Sequence, residues 1–183
     1  MIYNLKCKEM RAVLVVMLGS LCTLVACSQK RSSSADKNVV NKPNNPYYSN
    51  TDTQKLNVSN AEWKKILPAE VYNVARLGET ERAFTGKYWN SDTKGTYYCA
   101  VCGNDLFRSL AKFSSTCGWP SFFKQDNKNS VVYRSDSSIG MVRTEVLCYR
   151  CNSHLGHVFD DGPPPTGKRY CMNSIVLDFV PDK

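Results

Sequence analysis

GTYYCAVC (residues 95–102) and GMVRTEVLCYRC (residues 140–151) share one plan: a short run rich in Tyr, Val and Thr that ends in Cys-x-x-Cys. Short runs of alternating or clustered apolar residues, bounded by Gly, Asn, Asp or Pro, read as strands. SVVYRS (residues 130–135) and NSIVLDFV (residues 173–180) repeat the pattern, so beyond Gly86 the chain is expected to form a mainly β fold, a small antiparallel domain. Ahead of it, NAEWKKILPAEVYNVARLG (residues 60–78) carries apolar residues at helical spacing. Two short helices are predicted there, with Asn60 as a cap, Pro68 in the first turn of the second and Gly78 at its end. Both Cys-x-x-Cys pairs fall where a strand passes into a turn, which suggests paired supersecondary units; no repeat of solenoid length occurs.

Cys99-Ala-Val-Cys102 and Cys148-Tyr-Arg-Cys151 point to zinc. A two-residue spacer lets both thiolates of a pair face the same ion, and two such knuckles close a tetrahedral four-sulfur site with no open position. Such a site is structural, joining distant segments without activating a nucleophile. The competing reading is a disulfide framework, because Cys99, Cys102, Cys117, Cys148, Cys151 and Cys171 allow three bridges in an exported domain. A zinc deaminase needs an HxE segment, and none occurs.

The chain of 183 residues has 24 Lys and Arg against 16 Asp and Glu, with most of the excess before residue 60. A tetrathiolate zinc site adds two net negative charges to the remainder, so nucleic acid is not an expected partner. Lys6, Lys8 and Arg11 precede an apolar stretch from Ala12 to Ala26, the pattern of a signal peptide and too short to span a bilayer comfortably. It ends in Leu24-Val25-Ala26-Cys27, which resembles a bacterial lipobox. Residues 1–26 are thus expected to be a lipoprotein leader, with Cys27 lipidated and the protein exported and anchored to a membrane of the cell envelope; an uncleaved signal anchor is the alternative. Residues 27–59, rich in Ser, Asn, Lys and Asp, are expected to be a flexible tether, leaving residues 60–183 as the domain.

With four cysteines assigned to zinc, Cys117 in STCGWPSF and Cys171 in KRYCMNS remain. Cys171 follows Lys168 and Arg169, cations that favour a thiolate, and a second thiol within reach would resolve an oxidised first one. Each cysteine on its own also fits an inert buried thiol. His154 and His157, in HLGH, are the only histidines; the reading divides between proton transfer near neutral pH and a packed or metal-bound imidazole. Trp119 fits an ordinary core tryptophan, and GPPPTGKR (residues 162–169) either a plain connection or a rigid loop that carries Arg169 and Cys171 to the GWPSF turn.

CAVCGNDLF, STCGWPSF and CYRCNSHLGHVFDDGPPPTGKRYCMNS, in this order and approximate spacing, resemble the methionine-(R)-sulfoxide reductases across roughly residues 61–181. The resemblance implies two packed antiparallel sheets with a structural zinc on Cys99, Cys102, Cys148 and Cys151. It further implies Cys171 as the catalytic nucleophile, Cys117 as the resolving thiol and Trp119 packed on the substrate methyl group. His154, His157 and Asn173 would hold the sulfoxide oxygen, and Arg169 and Asp161 would belong to the polar surroundings. Oxidised proteins or peptides would be the substrate, an exported thioredoxin-like dithiol the reductant, and the protein a monomer. The rival reading is a catalytically silent zinc module that binds a partner at the cell envelope.

Overall fold

The computed structural model describes residues 42–183; the leader, Cys27 and the tether through residue 41 lie outside the described residues. Helix α1 (Asn60–Ile66) is capped by Ser59, one residue before the expected Asn60, because the Ser59 Oγ accepts the Glu62 N–H at 3.2 Å. Asn60 accepts instead from Arg76 Nε at 2.9 Å. Helix α2 (Ala69–Leu77) follows Pro68, which stands at the cap and offers its carbonyl to the Tyr72 N–H. Gly78, at φ 76°, ends the helix in the left-handed conformation.

Nine strands follow: β1 (Gly95–Cys99), β2 (Asp105–Arg108), β3 (Lys112–Phe113), β4 (Ser121–Phe122), β5 (Val131–Asp136), β6 (Arg143–Cys148), β7 (His154–Phe159), β8 (Arg169–Met172) and β9 (Leu177–Pro181). They form two antiparallel sheets, β2-β1-β9 and β3-β4-β8-β7-β6-β5. The mainly β architecture predicted from the strand runs is the one observed.

Strand alternation explains how one sheet serves both core and site. On β8, Tyr170 and Met172 are buried while Arg169 and Cys171 stay partly accessible. Phe122 and Val146 share the buried face with Tyr170 and Met172. Phe107 of the smaller sheet stacks on Phe122 with ring centroids 4.4 Å apart, and Tyr97 meets Phe122 edge-on at 5.0 Å. These aromatic contacts join the sheets; each such ring, once buried, contributes about 2 kcal/mol or more from surface removal alone.

Residues 42–59, expected to belong to a tether, lie against the domain. Asn45 Nδ2 donates to Val101 O at 2.8 Å, the Ser49 N–H to Cys102 O at 3.0 Å and Asn50 Nδ2 to Gly103 O at 3.0 Å. Arg150, 2% exposed, donates to the carbonyls of Tyr47, Gln54 and Cys102 and pairs with Asp52. Tyr47 packs edge-on against the buried Trp63, with centroids 5.2 Å apart. Composition does not announce this, because the segment buries little apolar surface and is held mainly by hydrogen bonds to carbonyls of the cysteine turns.

Candidate active site and metal centre

The two Cys-x-x-Cys turns are built alike. In the first, the Cys99 N–H donates to Asn104 O and Cys99 O accepts from the Gly103 N–H; in the second, Cys148 stands in the same relation to Ser153 and Asn152. Each turn needs a left-handed residue after its second cysteine, supplied by Gly103 (φ 79°) and Asn152 (φ 56°), the residue types that tolerate it. Docking the turns brings four buried sulfurs within 4.8 Å of one another, with Cys99 to Cys151 at 3.7 Å and Cys102 to Cys148 at 3.6 Å. The edge of a tetrahedron with bonds of about 2.3 Å is about 3.8 Å, so the spacing fits zinc, whereas a disulfide needs about 2.05 Å. Burial pushes the thiols of Cys99, Cys102 and Cys148 well up; against its own burial, Cys151 is held low by hydrogen bonds from the other three and Ser153. A divalent cation is what such a cluster needs to exist as four thiolates. The cluster is a structural zinc site, with no position left over for a reacting ligand.

On the other half of the larger sheet, strand register assembles a second constellation. Ser121 pairs with Cys171, Cys171 with His157, His157 with Glu145 and Glu145 with Arg134, a row across five strands on the face opposite the core. Gly156 makes the close approach of β7 to β8 possible: a Cβ there would lie 2.1 Å from the Cys171 carbonyl oxygen. Cys171, Trp119, His157, Phe159, Thr80 and Asn173 are among the residues lining a pocket of about 110 Å³. Cys117 does not line it but stands behind Cys171, with the two sulfurs 3.4 Å apart. The proline-rich loop carries Thr166 to a hydrogen bond with Phe123 O, so it does bring β8 to the GWPSF turn.

The thiols differ from expectation. Burial, then the charge and hydrogen bond of Cys117, push Cys171 up to about 12, and Arg169 offsets this only in part. Lys168 is paired with Asp160, and the Arg169 guanidinium forks onto Asp161 at 2.9 and 2.8 Å while lying over the Phe159 ring. Cys117 is the acidic partner, lowered to about 7: burial opposes ionisation, but hydrogen bonds from Ser115 at 2.9 Å and Ser121 at 3.4 Å, with that of Cys171, outweigh it. Ionisation of two thiols in contact belongs to the pair, and within it the hydroxyls favour charge on the Cys117 side.

Each histidine leans on a carboxylate that the sequence reading did not single out. His154 Nδ1 lies 2.7 Å from Glu145 Oε1, and His157 Nε2 lies 2.7 Å from Asp136 Oδ2. Arg134 and Arg143 in turn hold those acids. The buried His154 Nε2 has no partner among the described residues, and the His154 ring stands 5.4 Å from that of His157. Burial lowers the pKa of His154 despite Glu145, which leaves a neutral imidazole whose Nδ1–H donates to the carboxylate.

Asn173, 3% exposed, donates to Leu155 O and accepts the Glu81 N–H, while the Trp119 indole donates to Glu81 O at 3.1 Å. Glu81 thus braces two lining residues, which nothing in its own segment announced. Asp161 stays at the surface and touches the site only through Arg169. Neither histidine belongs to the metal cluster, so neither takes a cysteine's place on the metal.

Fold and site together define a zinc-stapled β domain with a paired dithiol at a small pocket. The profile of the SelR domain matches residues 67–181. The peptide methionine sulfoxide reductase MsrB of Thiobacillus denitrificans is 57% identical over 123 residues, spanning 67% of this chain and 93% of that protein. Its counterpart in Pseudomonas fluorescens is 54% identical over 128 residues, 70% of this chain and 98% of that protein. That of Acinetobacter baylyi is 51% identical over 129 residues, 70% and 93%. The chain belongs to the SelR, or MsrB, family of peptide methionine sulfoxide reductases.

Proposed function

We propose that the protein reduces methionine R-sulfoxide in oxidised proteins or peptides, with Cys171 as nucleophile. The observation that carries this is the placement of Cys171 on the pocket wall, facing Trp119, His157 and Asn173, with Cys117 directly behind it. Transfer of one proton along the 3.4 Å sulfur contact moves the negative charge from Cys117 to Cys171. The Cys171 thiolate attacks the sulfoxide sulfur; the oxygen, protonated on the histidine side, ends on Cys171 as a sulfenic acid and the thioether leaves. Cys117 then displaces water to form the Cys117–Cys171 disulfide, and an external dithiol reduces it. Trp119, its plane held by Glu81, suits the apolar methyl end of the substrate, while His154, His157 and Asn173 suit the oxygen.

The zinc site holds the β1 and β6 turns together and has no part in these steps. The leader pattern and Cys27 support an exported, lipid-anchored protein, and export in turn calls for a thioredoxin-like donor that is itself exported; the chain is read as a monomer. Incorporation of labelled fatty acid that is lost in Cys27→Ser would support the anchor; equal labelling in both would remove it.

The test of the activity is turnover of separated methionine sulfoxide epimers with dithiothreitol. Reduction of the R epimer alone, abolished in Cys171→Ser, is expected. Reduction surviving in that variant would refute the nucleophile.

A further inference from the structure

The pocket that holds Cys171 has room for one side-chain end, yet a much larger cleft of about 620 Å³ adjoins it. Thr80 lines both spaces, and Asn173 on the pocket side is followed by Ser174 on the cleft side. Glu81 stands at the junction. Its carboxylate accepts the N–H groups of Ser174 at 2.6 Å and Ile175 at 3.0 Å, while its main chain holds Asn173 and Trp119. The wall between pocket and cleft is therefore braced from both sides.

The cleft has a definite charge character. Glu70 on α2 and Glu79 beyond its end line it, and neither carboxylate has an ion pair or hydrogen bond among the described residues. Its other acids are occupied: Glu81 as above, and Asp178 by Tyr48 and Lys42. Lys87, the lysine of the cleft, lies over the Tyr88 ring at 5.2 Å from its centroid. Two carboxylates are thus left facing a space large enough for several residues of extended chain.

We propose that this cleft receives the polypeptide flanking the oxidised methionine on one side, and that Glu70 and Glu79 favour a basic residue in that flank. The proposal rests on the reductase reading of the neighbouring pocket. Because Thr80 lines both spaces, a chain whose methionine sulfoxide enters the pocket and that leaves past Thr80 has one flank at the cleft mouth. The unpaired carboxylates then select by charge, as complementary surfaces do, with the modest effect expected of accessible groups.

The experiment compares kcat/KM for N-acetyl-methionine-R-sulfoxide amide with that for three peptides carrying the same sulfoxide: one without lysine, one with lysines before it and one with lysines after it. The wild type is expected to favour one lysine peptide over the neutral one by about fivefold. A Glu70→Gln, Glu79→Gln double variant is expected to erase that preference while leaving the small amide unchanged. A preference that survives in the double variant overturns the proposal, as does an equal gain from lysines on both sides, which marks a general field. A wild type that reduces neither the amide nor any peptide overturns the reductase reading itself.

Discussion

Glu145 faces His157 across the β6–β7 ladder, yet the imidazole it holds is that of His154, at 2.7 Å. The ladder is irregular between Val146 and Leu147, and this irregularity brings His154 and His157 to one side although they stand an odd three positions apart in a strand. His157 takes Asp136 instead.

Glu145→Gln removes the charge that orients His154 while keeping its shape. A fall in kcat of about tenfold with little change in KM is expected for an effect on proton delivery. Steady-state kinetics against pH is the measurement; a purely structural role would move stability and leave the shape of the profile unchanged.

Because burial lowers the His154 pKa, the unfolded chain binds a proton on this residue at a higher pH than the folded chain does. That contribution therefore costs stability as pH falls below about 6.5, with the sign opposite to a histidine stabilised by its ion pair. Denaturant midpoints between pH 7.5 and 5.5 are expected to fall more steeply for the wild type than for His154→Gln.

Cys117, lowered to about 7, should be alkylated first by iodoacetamide as pH rises through neutrality, and Cys171, pushed up to about 12, only later. Removing the Cys117 charge in Cys117→Ser leaves Arg169 beside Cys171, so its reactivity should move to lower pH. Mass spectrometry of trapped protein reads both. The same variant should keep most of its turnover with dithiothreitol and lose most of it with thioredoxin as donor.

Arg150→Ala strands several buried or half-buried acceptors around the cysteine turns. A loss of about 2–4 kcal/mol in denaturant unfolding is expected. Faster release of zinc to a chromogenic chelator should accompany it, since residues 45–56 contact both turns.

Gly156→Ala places a Cβ 2.1 Å from the Cys171 carbonyl, so β8 has to shift. Activity should fall at least tenfold while zinc content stays at one per chain, because the strand displaced is β8, which carries no metal ligand. Elemental analysis beside kinetics separates the two.

The sequence alone determined the features whose physics is local. Cys-x-x-Cys spacing dictates which sulfurs share an ion, short apolar runs dictate the strands that lead into the two cysteine turns, and Gly78 dictates where α2 stops. The proposed leader and lipidation of Cys27 rest on the same kind of local pattern.

Only the tertiary structure decided the rest, because it depends on groups far apart in the chain. The carboxylates behind the two histidines come from neighbouring strands, and the brace on Trp119 and Asn173 comes from Glu81, in a loop with no motif. Residues 42–59 looked unable to order because they have little to bury; they order on carbonyls that only the folded cysteine turns present. The preference for charge within the thiol pair also has a tertiary cause. Adjacent cations in sequence pointed to Cys171, but those cations are paired with Asp160 and Asp161, and the hydroxyls that favour a thiolate belong to Ser115 and Ser121, which surround Cys117.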